Sequence, residues 1–247
     1  MKSLFLATAA VAVLAAAPAK AQEPVGSIGA GYIHNDIEGF KSDGAVIDGV
    51  AAMPAFGDWT VTLNGSVTYA DSDLGDDTSA SGAAHLTRMF GNDLRAGGFV
   101  GLSDIGGENI VSVGGEVQKY FASSTVSGVA AYTDLDGADA WTLGADAGFY
   151  VSPSLRLNAG GSYNTIDTDF VDIDAWSYGA GVEYQMANSP FGVFGSYERL
   201  SLEDVDVDAD TVMVGLRYNF GGLQARDRAG ANLGRTLGGL RALGGAF

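Results

Sequence analysis

The chain has 247 residues, no cysteine and a net charge of −17, with 47% hydrophobic residues, 37 glycines and only 5 prolines. The acidity excludes nucleic acid as a partner, since no basic face neutralises phosphates, and the missing cysteines exclude a disulfide framework and thiolate ligands. Beyond the leader no segment approaches the ~20 uninterrupted apolar residues of a spanning helix, so the apolar content has to be spread through strands.

Residues 1–21 read as a secretory signal peptide. Lys2 supplies the positive region, Leu4 to Ala17 the apolar region, and Ala19-Lys20-Ala21 the small-residue cleavage site, which predicts a mature chain starting at Gln22. That apolar run is too short to serve as a membrane anchor. Losing Lys2 and Lys20 takes the charge from −17 to −19.

From Val25 to Phe220 one cycle recurs six times: a rising strand, an acidic loop, a falling strand ending in an aromatic, and a short turn. Rising strands end at Tyr32, Tyr69, Leu102, Tyr132, Tyr163 and Tyr197, and falling strands near Phe56, Phe90, Phe121, Tyr150, Tyr184 and Phe220. The spacing is 29 to 37 residues, a repeat that predicts six hairpins. The first falling segment, 44–53, is mixed, with Asp48 marking its inward parity. Residues 59–69 alternate cleanly: Trp59, Val61, Leu63, Val67 and Tyr69 on one face, Thr60, Thr62, Asn64, Ser66 and Thr68 on the other. Residues 81–90 leave an awkward residue on either face, with His85 and Arg88 on opposite parities. Residues 141–151, 155–164, 176–186 and 211–220 again hold period two, and 191–200 is fixed by Phe194 pointing inward.

Strict alternation over 9 to 11 residues suits a tilted strand crossing hydrocarbon. A soluble β-sandwich also alternates, but it would keep aromatics in the middle of the apolar face. Here they gather at both ends, as in interfacial girdles. Short turns at 54–58, 91–93, 122–124, 152–154 and 188–190 oppose longer acidic loops, the asymmetry of barrels whose turns are periplasmic. The fold class expected is all-β, an antiparallel up-and-down transmembrane β-barrel over residues 22–220, with twelve strands within a range of eight to fourteen.

Gly215-Leu216-Arg217-Tyr218-Asn219-Phe220 resembles the terminal-strand signal of Gram-negative outer-membrane β-barrel proteins. The resemblance is to porin-like barrels. It implies that Gly215, Tyr218 and Phe220 form an assembly signal read by the barrel assembly machinery, and that the chain resides in the cell outer membrane among lipid and lipopolysaccharide. The chain departs from that pattern in continuing past Phe220. Residues 221–247 carry Arg226, Arg228, Arg235 and Arg241 against Asp227 alone. Their glycine content favours a flexible basic periplasmic tail; the alternative is a segment that folds back into an acidic lumen or binds the inner-leaflet surface.

Parity assigns Arg95, Glu116, Asp146, Arg156, Glu183, Glu198 and Arg217 to the lumen. These residues suit either a water-filled passage or a salt-bridged, closed interior. An acidic mouth built from Asp71, Asp73, Asp76, Asp77, Asp167, Asp169, Asp172, Asp174, Asp204, Asp206 and Asp208 would favour cations. The expected function is passive, porin-like permeation of small hydrophilic solutes, with a structural or surface-recognition barrel as the alternative. Asp71 to Asp77 and Asp134 to Asp139 loosely match calcium-loop spacing, but they read as solvated surface, and no metal or cofactor is expected. An enzyme on the same barrel needs a histidine beside a nucleophile, and neither His34 nor His85 has a local partner of that kind, so no catalytic residue is assigned.

Overall fold

The computed structural model describes residues 23–72, 75–105, 108–135, 137–168, 172–203 and 207–232. The expected leader, Asp73, Asp169, Asp204, Asp206 and the tail beyond residue 232 lie outside them. Twelve strands follow in chain order: β1 (Val25–Ile37), β2 (Phe40–Pro54), β3 (Trp59–Ser72), β4 (Gly75–Phe90), β5 (Leu94–Ile105), β6 (Glu108–Tyr120), β7 (Ser124–Leu135), β8 (Ala138–Ser152), β9 (Leu155–Thr168), β10 (Asp172–Gln185), β11 (Phe191–Leu202) and β12 (Val207–Phe220). Each strand pairs antiparallel with its sequence neighbours, and β1 pairs with β12 from Gly26↔Phe220 to Ile37↔Ala209, so the sheet is a closed up-and-down barrel. Closure leaves no edge, the only way a sheet satisfies its backbone in lipid.

The molecule is inside out. Leu143, Leu216 and Ile47 are 67%, 64% and 60% exposed on the outer wall, whereas Thr62, His85, Gln118 and Asn164 are buried inside. Outward aromatics sit at two heights. Tyr32, Tyr69, Trp141, Trp176 and Tyr197 lie toward one rim, and Phe56, Phe90, Phe121, Tyr184 and Tyr218 toward the other. Between them the wall is mainly Val, Leu, Ile, Ala and Gly, with Tyr178 on β10 the large exception, the profile of an apolar band with two interfacial girdles. The mixed strand β4 resolves with His85 and Thr87 inward and Arg88 outward; Arg88 reaches Asp58 at 3.4 Å and lies over Phe90 at the short-turn rim.

The acidic rim differs from the expectation of longer loops. β1, β9 and β11 run five residues past Tyr32, Tyr163 and Tyr197. The first connection is only Glu38-Gly39, both at positive φ (51° and 86°), the two-residue turn that matches strand twist. Asp71, Asp76, Asp77, Asp167, Asp172, Asp174 and Asp208 therefore stand on strands rather than in loops. The physical reason is the closed ring. Both sides of every strand already have a partner, so the ladder continues past the aromatic girdle wherever its backbone groups can still pair.

Candidate functional site in the barrel lumen

Seven charged residues assigned inward by alternation all reach the interior, and they divide between two walls. On the β8–β12 wall Asp146, Arg156, Glu183, Glu198 and Arg217, together with Asp48 of β2, line a polar cavity with about 130 Å³ of space for water. Arg217 holds Asp48 at 3.0 Å and Glu183 at 3.3 Å, and its guanidinium carbon lies 4.1 Å from the centre of the Phe194 ring. Bare glycines make the room: a Cβ on Gly215 would come 2.7 Å from Phe194, and one on Gly148 2.6 Å from the Arg156 guanidinium. Gly215, one residue of the expected assembly signal, thus also seats an aromatic inside the lumen. Tyr218 of that signal points outward against Phe191.

The β3–β7 wall is packed. His85 Nδ1 lies 2.9 Å from Glu116 and its Nε2 3.2 Å from Asn64, with Phe99 against the ring at 5.4 Å between centroids. Beyond these residues, toward the acidic rim, neutral pairs cross the strands of both walls: Ser66 with Ser81 and Ser112 with Thr133 on this side, Thr142 with Asn164 and Ser162 with Ser177 on the other. Arg95 lies toward the short-turn end, donating to Thr87 and to Tyr120 Oη at 3.0 Å each.

The largest departure from expectation concerns the residues after β12. Instead of leaving the barrel, Gly221–Asn232 turn back into it and floor the lumen at the short-turn end. Gly221 adopts φ 106°, and α1 (Leu223–Arg228) follows, with Leu223, Arg226 and Asp227 buried. Arg226 has no exposed surface and grips Glu183 with both terminal nitrogens, at 2.9 and 2.5 Å, while also donating to Asn219. Asp227 accepts from Thr125 and, at 3.0 Å, from Asn232. Backbone carbonyls complete the seat: Arg95 donates to Arg228 O at 3.0 Å, Thr62 to Gly230 O at 3.1 Å, and Tyr150 to Leu223 O at 3.3 Å. Ala231 packs on Val50 and Ala52. Arg228 and Gln224 bond the backbone oxygens of Phe121 and Ala122 at the rim.

A free extension was the favoured expectation because its glycines weaken an isolated helix. None of those glycines falls within α1, whose Leu-Gln-Ala-Arg-Asp-Arg run is made largely of good helix formers. Its buried cationic side chain meets a carboxylate in a site of low dielectric, where paired charges attract strongly. Arg226, Asp227 and Asn232 were not among the candidate site residues. Their one sequence signal is the change of charge sign after Phe220.

On the outer face the register sets aspartates directly opposite one another: Asp134↔Asp139, Asp139↔Asp167 and Asp167↔Asp172, a row across β7 to β10. Girdle tyrosines cap part of the collar, Tyr132 donating to Asp139 at 2.5 Å and Tyr197 to Asp210 at 2.6 Å. Arg199 forms a two-pronged pair with the same Asp210. His34 lies in this collar with its Nδ1 2.7 Å from Asp43.

No protein-family model matches the chain, and no curated protein matches it in sequence. Among solved structures it is similar to the KdgM porin in complex with disordered oligogalacturonate, at TM-score 0.56 and 11% identity over 79% of this chain and 99% of that one. It is similar also to the COG4313 outer membrane channel from Pseudomonas putida F1, at TM-score 0.59 and 13% identity over 82% and 99%. A third is the NanC porin, at TM-score 0.59 and 6% identity over 77% and 100%. At these identities the likeness is one of fold, and the fold is that of porin-like outer-membrane β-barrels.

Proposed function

We propose that this porin-like barrel lies in the cell outer membrane and passes small hydrophilic solutes passively, with a mild preference for cations. The observation that carries the reading is the charged cavity between β2 and β8–β12, enclosed by a wall whose outer face suits lipid. The net charge of −17 and the acidic collar at one rim support the cation preference, since rings of carboxylate attract cations and repel anions. The similarity to solved porins and channels rather than to enzymes supports a non-catalytic role, as does the enclosure of His85 between Glu116 and Asn64. The collar stands where lipopolysaccharide would meet the barrel, which makes that lipid a proposed partner. The barrel assembly machinery is proposed as another, through Gly215, Tyr218 and Phe220.

One observation favours a second reading, a non-conducting structural or surface-recognition barrel: the C-terminal segment occupies the lumen floor with Arg226 fully buried. Planar-bilayer recording separates the two. Stepwise currents whose reversal potential under a salt gradient lies on the cation side support the channel. A folded protein that stays silent both as wild type and as Arg226→Ala, which removes the floor's anchor, supports the second reading.

A further inference from the structure

Arg226 occupies its site as a ligand would. Its guanidinium is held edge-on by both oxygens of Glu183 and by Asn219, the two-pronged geometry that planar guanidinium groups form with carboxylates and that ammonium groups do not. The receptor belongs wholly to the barrel wall, Glu183 on β10 and Asn219 on β12. The occupant belongs to a segment tethered through Gly221. Glu183 is shared: on one side it meets Arg226, and on the other it lines the cavity beside Asp48 and Arg217. A solute in the cavity is thus already at the carboxylate that anchors the floor. The anchor is also incompletely satisfied, since Arg226 Nε has no hydrogen-bond partner among the described residues.

We infer that Glu183 and Asn219 form a guanidinium-recognition site in the lumen, filled in the resting state by the chain's own Arg226, and that guanidinium-bearing solutes compete for it and release the floor. This deepens the proposed permeation by naming a solute class, and rests on that reading only in requiring that a solute reach Glu183 from the acidic rim. A tethered occupant presents itself at an effective concentration in the millimolar range or above, so competition needs solute on the order of tens of millimolar.

The chain has no cysteine, so a single reporter thiol can be read without background. Ala231→Cys places it against Val50 and Ala52, and Leu223→Cys offers a second buried position should the first disturb docking. The full-length protein, reconstituted in vesicles, is treated with a membrane-impermeant maleimide. Methylguanidinium is expected to speed labelling by at least about tenfold over sodium or tetramethylammonium at equal ionic strength. Glu183→Gln is expected to label fast with no further response, and Arg226→Lys, which keeps the charge but loses the fork, to need less methylguanidinium for the same effect. Equal acceleration by tetramethylammonium, or an unchanged methylguanidinium response in Glu183→Gln, overturns the inference. Labelling is independent of current: a positive labelling result beside silent bilayers overturns permeation and leaves the site standing, and the converse overturns the site alone.

Discussion

Arg217 on β12 and Asp48 on β2 join their side chains across the strand between them, at 3.0 Å, over the bare Cα of Gly29 on β1. A Cβ at residue 29 would stand 2.3 Å from Asp48 Oδ1 and 3.2 Å from the Arg217 guanidinium. The seam where the ring closes is therefore clasped from inside by a buried ion pair. Gly29→Val should part it, combining overpacking with a stranded buried charge and costing roughly 3 kcal/mol. Urea unfolding in lipid vesicles, followed by tryptophan fluorescence, measures the loss; an unchanged midpoint would show that the clasp contributes nothing.

The outer wall makes a separate claim about solvent. Leu143, 67% exposed and the first outward residue after the girdle residue Trp141 on β8, faces hydrocarbon if the barrel spans a membrane. Leu143→Arg should then destabilise the folded state by about 1–2 kcal/mol in bilayers, between the midplane and interface costs. On a water-facing surface the same change would fall within about 0.5 kcal/mol. Reversible folding titrations distinguish the two values.

Gly221 turns the chain from the end of β12 into the lumen. Its φ of 106° disfavours any side chain, and a Cβ would meet Val25 Cγ1 at 2.8 Å. Gly221→Ala should loosen the floor while leaving the barrel closed. A shift of 1–2 kcal/mol in docking corresponds to roughly a 5–30-fold rise in the undocked fraction. Limited trypsin cleavage after Arg226 or Arg228 reports it. Cleavage at the wild-type rate would mean that Gly221 does not control docking.

The aspartate row across β7 to β10 sets like charges opposite one another, an arrangement that weakens strand pairing. Asp167, flanked by Asp139 and Asp172, is one of its two inner members, and unlike Asp139 it accepts from no girdle tyrosine among the described residues. Asp167→Asn should raise stability by several tenths of a kcal/mol at low ionic strength, and by less as salt screens the repulsion. Urea midpoints compared at ~0.01 M and ~1 M salt test the sign and the salt trend together.

Much of this architecture is legible in alternation alone, because lipid outside and polar groups inside put a chemical contrast on every second residue. Arg156, Glu183 and Arg217 were assigned to the lumen on parity, and Asp48 and Phe194 fixed two mixed strands. Three kinds of feature were not legible. Where strands cross the interface the contrast fades, so β4, with Arg88 and Phe90 at the rim, offered two faces of similar character. Which aspartates oppose each other depends on strand register, and no single segment encodes it. The docking of Arg226 joins residues 43 positions apart, a contact that no local segment encodes, so only the reversal of charge after Phe220 hinted at it.

The floor of the lumen touches strands around the whole circumference: Thr62 on β3, Arg95 on β5, Thr125 on β7, Tyr150 on β8, Glu183 on β10 and Asn219 on β12. Hairpins between sequence neighbours can form early, whereas β1 must find β12 across nearly the full length of the chain. Until that happens the six seats are not arrayed around a common centre, and the C-terminal segment has nowhere to settle. Docking therefore follows closure, and the segment after β12 settles only once the ring is complete. Protection of a thiol at residue 231 should accordingly lag behind the onset of detergent resistance in a refolding time course.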